Sequence, residues 1–325
     1  MPNILIDCDP GHDDAIALLL AAHTPELRIL AVTTVAGNTT LDCATRNALR
    51  VLHVAGADDV PVYPGCGRPM LHPLPRLAGA AVHGQDGLGG ALIPDAPRPA
   101  ERVHAVEQII RVLRGSAEKL TLVALGPLTN IALALRLAPD IIRRVDRLVV
   151  MGGAVREPGN INSAAEFNMY VDPEAAHMIL HAGWPLYLVP LDVTMKALFR
   201  EADIAALEQG GTASSLLAAQ LLRLYGGRHA GQFDEDGLVC PIHDALCVGC
   251  VIDPRLVTFA PAYCDVSLYG ITRGETVVQR GASPNVFLAE TVNAPAFVTL
   301  ITQTLSFSFT EKRKKQREND SISQD

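Results

Sequence analysis

Between residues 3 and 192 the chain alternates between two kinds of apolar pattern. Short runs rich in Val, Ile and Leu end in glycine or polar residues: "NILIDCD" (3–9), "RILAVTTVAGN" (28–38), "LTLVALGP" (120–127), "RLVVMGG" (147–153) and "PLYLVPLD" (185–192). None alternates strictly between apolar and polar positions, which is the pattern of strands covered on both faces. The segments between them carry apolar residues every three or four positions: "DDAIALLLAAH", "TLDCATRNALRVLHVAG", "AVEQIIRVLRG", "TNIALALRLAPDII" and "DPEAAHMILHAG". These predict helices, with stop signals at Gly56, Gly115 and Gly183. Strand and helix alternating at this spacing predict an α/β fold with an open, mostly parallel sheet flanked by helices. Ligands of such sheets gather at the carboxyl ends of the strands.

Two stretches break the alternation. "VPVYPGCGRPMLHPLPRLAGAAVHGQDGLGG" (60–90) is rich in Pro and Gly and too long for a simple connection, as binding lids often are. "YGGRHAGQFDEDGLVCP" (225–241) reads as a second irregular loop, and "YCDVSL" and "ETVVQ" read as strands of a terminal hairpin or sheet extension. With no internal repeat and no linker-like shift in composition, residues 1–310 read as one domain and 311–325 as a charged, flexible tail.

Composition narrows the partners. The 325 residues are 49% hydrophobic and 19% charged, with a formal net charge of −8. An acidic balance argues against nucleic acid, which needs a basic surface, and the basic "EKRKKQR" near the C-terminus reads as a solvated tail. No apolar run approaches the roughly 20 residues of a membrane span, and "NILIDCDP" follows the start with no signal-peptide pattern. The seven cysteines sit in apolar contexts. Cys247 and Cys250 form a C-x-x-C, but no second pair with zinc-finger spacing accompanies them, so buried thiols in a reducing, cytoplasmic compartment are expected.

The chemistry is concentrated in "ILIDCDPGHDDAIALLLA" (4–21), where Asp7, Asp9, Asp13 and Asp14 crowd into eight positions. Asp9 ends the first strand, Pro10-Gly11 turns the chain, and Asp13-Asp14 open the first helix. An aspartate there can simply cap the helix, whose N-terminus favours negative charge. Carboxylates from a strand end and a helix start can also converge on a hard cation that takes only oxygen ligands. A third reading is a phosphatase of the haloacid dehalogenase type, with Asp7 as nucleophile and Asp9 as acid. That chemistry needs a later lysine and a second acidic motif, and neither Lys119 nor Lys196 is followed by one.

"DCDPGHDDAIALLLA" resembles the fingerprint of the inosine–uridine nucleoside hydrolases, which cleave the N-glycosidic bond of ribonucleosides. The resemblance continues collinearly through "TTVAGN" (33–38), "HGQDGLGG" (83–90), "LVALGPLTNIA" (122–132), "VVMGGA" (149–154), "GNINSAAEFN" (159–168), "DPEAA" (172–176) and "PIHDALC" (241–247). It implies a Rossmann-like sheet with active-site loops at the carboxyl edge of the strands, and a homo-oligomer, tetramer or dimer. "PGHDDAIA" and "HDALC" look most like the bacterial branch that prefers pyrimidine nucleosides, with inosine as a further substrate.

Carried over position by position, the resemblance implies Ca2+ held by the carboxylates of Asp9, Asp14 and Asp244 and by the main-chain carbonyl of Leu125, where the family often has Thr. Asp13, Asn38 and Asn168 would hold the ribose 2′- and 3′-hydroxyls, Asn160 and Glu166 the 5′-hydroxyl, and Met151 would line the sugar pocket. Asp9 would act as general base on water, and His243 would serve the departing base as acid or hydrogen-bond donor. A histidine that only fixes its loop is the alternative for His243. His83, in the presumed lid, would contact the base, while His12 receives no role. The segment before His243 departs from the pyrimidine-preferring pattern: it offers Gln232 and Phe233, but "DED" (234–236) stands where a tyrosine is expected, and Tyr225 lies upstream. A non-catalytic nucleoside or ribose binder would keep the hydroxyl-binding residues and lose Asp9 or part of the metal set, and this chain has them all.

Overall fold

The computed structural model describes residues 2–75, 81–228, 233–234 and 237–306. Gln232, residues 235–236 and the 311–325 tail lie outside them. The strands are β1 (Asn3–Cys8), β2 (Arg28–Thr34), β3 (Val62–Pro64), β4 (Leu120–Ala124), β5 (Val145–Met151), β6 (Leu186–Val189), β7 (Leu198–Arg200), β8 (Phe233–Asp234), β9 (Gly237–Pro241), β10 (Val257–Val266), β11 (Thr276–Gln279) and β12 (Val286–Val292). The helices are α1 (His12–Ala22), α2 (Leu41–Val54), α3 (Ala105–Gly115), α4 (Thr129–Leu137), α5 (Phe167–Val171), α6 (Pro173–Leu180), α7 (Leu191–Thr194), α8 (Glu201–Gly210), α9 (Ala213–Arg228), α10 (Asp244–Ile252) and α11 (Ala294–Ser306).

The central sheet runs in the order β11-β10-β12-β6-β5-β4-β1-β2-β3. Every pairing from β3 to β12 is parallel, and β10 and β11 continue the sheet antiparallel. The chain leaves β1 toward β2 and β3, then returns to the other side of β1 as β4. This reversal opens a crevice at the carboxyl ends of β1 and β4, the place where doubly wound sheets bind ligands. All residues of β1 from Ile4 to Cys8 are buried, with Ile4, Ile6 and Cys8 in one core and Leu5 in the other. That two-sided burial accounts for the missing alternation in its sequence.

All eleven residues of α1 are buried, including Asp13 and Asp14. An all-round apolar helix has to be enclosed, and α1 packs against α2, α9, α10 and α11. The opposite face of the sheet is covered by α3, α4 and α6.

Several elements escaped the sequence reading. β3 lies inside the 60–90 stretch. The 225–241 stretch divides into the end of α9 and the strand β9, which joins β7 and β8 in a small antiparallel sheet. α9 runs through Gly226-Gly227 because it packs on β9 so closely that a Cβ at Gly226 would lie 2.5 Å from Cys240 Sγ and 2.6 Å from a Leu238 methyl. Glycine there serves close approach, not a turn. Gly115 is the last residue of α3, where that helix stops, and Gly56 and Gly183 take the left-handed conformation expected of stop signals, at φ +69° and +78°.

One buried acid fixes the segment behind the crevice. Asp172 caps α6 by accepting from Ala175 N–H at 3.1 Å, and it also accepts from Thr129 Oγ at 2.5 Å and Met70 N–H at 3.0 Å. It thereby ties α4, α6 and the 65–74 loop together just after α5.

Candidate active site

The carboxyl ends of β1, β2, β4 and β5 surround a cavity of about 260 Å³. Its wall includes Asp13, Asn38, His83, Leu125, Met151, Asn160, Glu166, Asn168, His243 and Asp244. Ten of the residues singled out in the sequence therefore face one space, and Asp9 and Asp14 lie fully buried close by. No lysine or arginine lines the cavity among the described residues.

Asp14 shows why two readings of the aspartate cluster coexist. Its Oδ2 accepts from Gly11 N–H at 2.9 Å, which caps α1, and from Asn38 Nδ2 at 3.1 Å. Its Oδ1 accepts from Asp9 N–H at 3.1 Å. Yet one oxygen each from Asp13, Asp14 and Asp244 also lie within 4.8 Å of one another, a spacing suited to a shared cation. The cap and the cluster are one structure.

Asp9 is enclosed more tightly. Its Oδ2 accepts from Asn38 N–H at 2.6 Å, while its buried Oδ1 has no hydrogen-bond partner. A Cβ built on Gly37 would fall on Oδ2, and one on Gly126 would fall on Oδ1. The glycines after β2 and β4 thus form a cradle in which the Asp9 carboxylate is the nearest side chain to both.

Burial and mutual repulsion hold these acids toward the neutral form. Burial, then the Asp14 charge, pushes Asp13 up to about 7. Burial raises Asp14, and burial with neighbouring carboxylates raises Asp9 and Asp244 well above the ordinary range. An all-oxygen donor set, an unpartnered Asp9 oxygen and no compensating side-chain cation fit a hard divalent ion such as Ca2+. Leu125 offers a carbonyl beside them. It accepts from Asn168 Nδ2 at 2.7 Å and retains a second lone pair.

The sugar-type residues are held by the loops after β5. Glu166 caps α5, accepting from Asn168 N–H at 2.9 Å and Met169 N–H at 3.3 Å, and it also accepts from Gly153 N–H at 3.0 Å. Gly153 makes that approach at φ +90°, with Thr276 Oγ 2.8 Å from where a Cβ would stand. Asn168 Nδ2 is shared between Leu125 O and, at 3.3 Å, Met151 O. Asn160, at the exposed rim, accepts from Phe167 N–H at 2.8 Å, which leaves its NH2 group for a ligand.

The other end of the cavity is aromatic. His12, His83 and Tyr225 cluster with ring centroids 5.2–5.7 Å apart, and His83 Nδ1 lies 3.0 Å from His12 Nδ1. His243 stands just before α10, its Nδ1 2.8 Å from Thr194 Oγ.

The inosine-uridine preferring nucleoside hydrolase profile matches residues 4–299. The chain belongs to that family. A pyrimidine-specific ribonucleoside hydrolase of Klebsiella pneumoniae is 41% identical over 310 residues, covering 94% of this chain and 98% of its own. A purine-preferring ribonucleoside hydrolase structure from Gardnerella vaginalis superposes with a TM-score of 0.87 at 31% identity, covering 94% and 98% of the two chains. A plant nucleoside hydrolase superposes at 0.88, also at 31% identity, covering 94% and 99%. The protein is thus a nucleoside hydrolase, an N-ribohydrolase acting on ribonucleosides.

In this nucleoside hydrolase the phosphatase alternative fails on Asp7. Its carboxyl is fully buried, accepts from Thr33 Oγ at 2.5 Å and Asn130 Nδ2 at 2.8 Å, and is absent from the cavity wall. Burial pushes it up to about 7. The sequence reading missed three contributors: Tyr225, set aside as too far upstream; Thr194, beside His243; and the Gly37–Gly126 cradle. Tyr225 could have been found by extending the preceding helix to residue 225. The glycines were visible only as the ends of apolar runs.

The protonation pattern has a measurable consequence. Unfolded aspartates ionise near 4, whereas Asp7 and Asp13 keep their protons to about 7. Between those values the native state binds more protons, so without a divalent cation each step upward in pH weakens it. Metal-free protein should therefore melt at a lower temperature at pH 8 than at pH 5.5. Added Ca2+ should raise Tm more at pH 8 than at pH 5.5, read by differential scanning calorimetry; an equal Ca2+ effect at both pH values would contradict the cluster as the binding site.

Proposed function

We propose that the protein is a Ca2+-dependent ribonucleoside hydrolase that prefers pyrimidine nucleosides such as uridine and cytidine and also accepts inosine. One observation carries the reading: four buried carboxyls, with no lysine or arginine in the cavity wall among the described residues, lie at one side of a cavity whose wall supplies amide groups of the kind that hold sugar hydroxyls. The same negative field disfavours phosphorylated substrates and favours neutral nucleosides. The 41% identity to a pyrimidine-specific relative supports the base preference.

Asp9, Asp14, Asp244 and the Leu125 carbonyl would hold the ion, with the Asp13 oxygen close enough to contribute. A bound divalent cation supplies charge that offsets the carboxylates and makes nearby water more acidic. Asp13, Asn38 and Asn168 would orient the 2′- and 3′-hydroxyls, Glu166 and Asn160 the 5′-hydroxyl, and Met151 the sugar face. The Asp9 Oδ1, without a partner of its own, would take the proton of the attacking water. The surrounding carboxylates favour the positive charge that builds on the ribosyl ring as the C–N bond breaks. His243, oriented by Thr194, would donate to the departing base, and His83 and Tyr225 would flank that base. The seven free thiols support a reducing, cytoplasmic setting. Exposed Leu92, Tyr269 and Ile271 give apolar surface to the proposed homo-oligomer, and a light-scattering mass of two or four chains is expected.

Ribose should be discriminated more sharply than base. A site built to bond a hydroxyl can reject the analogue lacking it by on the order of 10⁴-fold. Deoxyuridine should thus be cleaved at least a thousandfold more slowly than uridine in kcat/KM; a difference within about tenfold would remove Asp13, Asn38 and Asn168 from the ribose role.

His243→Ala should lower kcat on uridine by roughly 10²–10⁴-fold with a smaller effect on KM. On p-nitrophenyl riboside, whose leaving group departs without a proton, the loss should shrink. Equal losses on both substrates would mean that His243 only holds Asp244 and its loop.

A further inference from the structure

A second group of metal-type side chains lies outside this cavity, where α6 packs on β10. His177 and His181 stand four residues apart in "HMILH" at the C-terminal end of α6, a spacing that puts both imidazoles on one helical face. Asp265 faces them from β10. His177 Nδ1 is 2.8 Å and His181 Nε2 is 3.2 Å from Asp265 Oδ1, and one donor atom from each of the three lies within 4.8 Å of the others.

We propose that His177, His181 and Asp265 form a binding site for a divalent transition cation of the zinc class, separate from the carboxylate cluster. Ligand bonds of about 2.0–2.2 Å in a tetrahedral shell put neighbouring donors roughly 3.3–3.6 Å apart, and the two histidine–aspartate distances, 2.8 and 3.2 Å, fall short of that by an amount that small side-chain shifts would open. Two imidazoles with one carboxylate select Zn2+, Co2+, Ni2+ or Cu2+ over Ca2+, which takes oxygen alone. The pair of sites therefore sorts cations by donor type within one chain.

The surroundings hold the ligands in place. Val266 N–H donates to Asp265 Oδ1 at 2.7 Å, fixing the carboxylate as supporting hydrogen bonds do at metal centres. The His181 ring lies 4.5 Å from His177 and 5.8 Å from Tyr263, centroid to centroid, which restricts its rotation. Burial pushes the Asp265 carboxyl up, but hydrogen bonds from His177, Val266 N–H and His181 outweigh it, leaving the group below the usual range and ready to ligate as an anion. The three side chains are about one-third exposed, so water can complete the shell. Without a cation, Asp265 Oδ1 takes ring N–H bonds from both histidines, and a cation replaces those protons. Once bound, it ties the end of α6 to the antiparallel extension of the sheet.

The test is a Co2+ titration of the intact protein in excess Ca2+, which fills the oxygen site. One equivalent of Co2+ should give the visible absorption of a tetrahedral ion, and Zn2+ should displace it. Zn2+ held a hundredfold above its Kd should raise Tm by about 4 °C. His177→Gln and His181→Gln should each weaken Co2+ binding by at least the roughly 10–100-fold that loss of even a supporting group costs, and Asp265→Asn should do the same, all three with uridine cleavage retained. Undiminished Co2+ binding in the His177→Gln/His181→Gln double variant, or no binding by the wild-type chain, would overturn the proposal.

Discussion

Like charges buried together are the constraint around which this molecule is organised. Asp9, Asp13, Asp14 and Asp244 lose hydration and repel one another, a combination that costs several kcal/mol per ion unless something compensates. The fold compensates with backbone rather than with lysine or arginine. The N–H groups of Asp9, Gly11 and Asn38 donate to the carboxylates, and the amino end of α1 adds its dipole. What backbone donors leave unbalanced is the charge that the proposed cation would offset. A lysine would neutralise that charge permanently and fill part of the cavity.

The frame was largely legible because strands buried on both faces and helices with one apolar side leave different marks in a sequence. β1, β2, β4 and β6 lie inside the runs that predicted them, and so do α2, α3, α4 and α6, while β5 begins two residues and α1 one residue ahead of theirs. The elements that escaped are those whose pattern is set by tertiary contact. α9 carries apolar residues around much of its circumference and two glycines in its last turn, which read as a loop until β9 is found against it. β3 and β7 have three residues each, too few for a period to register. β12 was lost because its parallel neighbour β6 comes from a distant part of the chain.

The site was legible to a different degree. Carboxylates and amides announce themselves by type, and their convergence follows once the strand ends are aligned. Groups that act by being small or by standing behind another residue leave no such mark. Gly37 and Gly126 matter for the methyl group they lack beside Asp9, and Thr194 for the imidazole it touches. Tyr225 comes to the cavity from a helix whose extent the sequence obscured, so its distance along the chain from His243 misrepresented its distance in space.

The floor of the cavity is assembled from the two ends of the polypeptide. Asp9, Asp13 and Asp14 emerge first during synthesis, while Asp244 follows more than two hundred residues later, brought in by the short sheet of β7, β8 and β9. A partly made chain therefore carries three acids whose fourth partner does not yet exist, and the cavity wall is complete only when the last third docks.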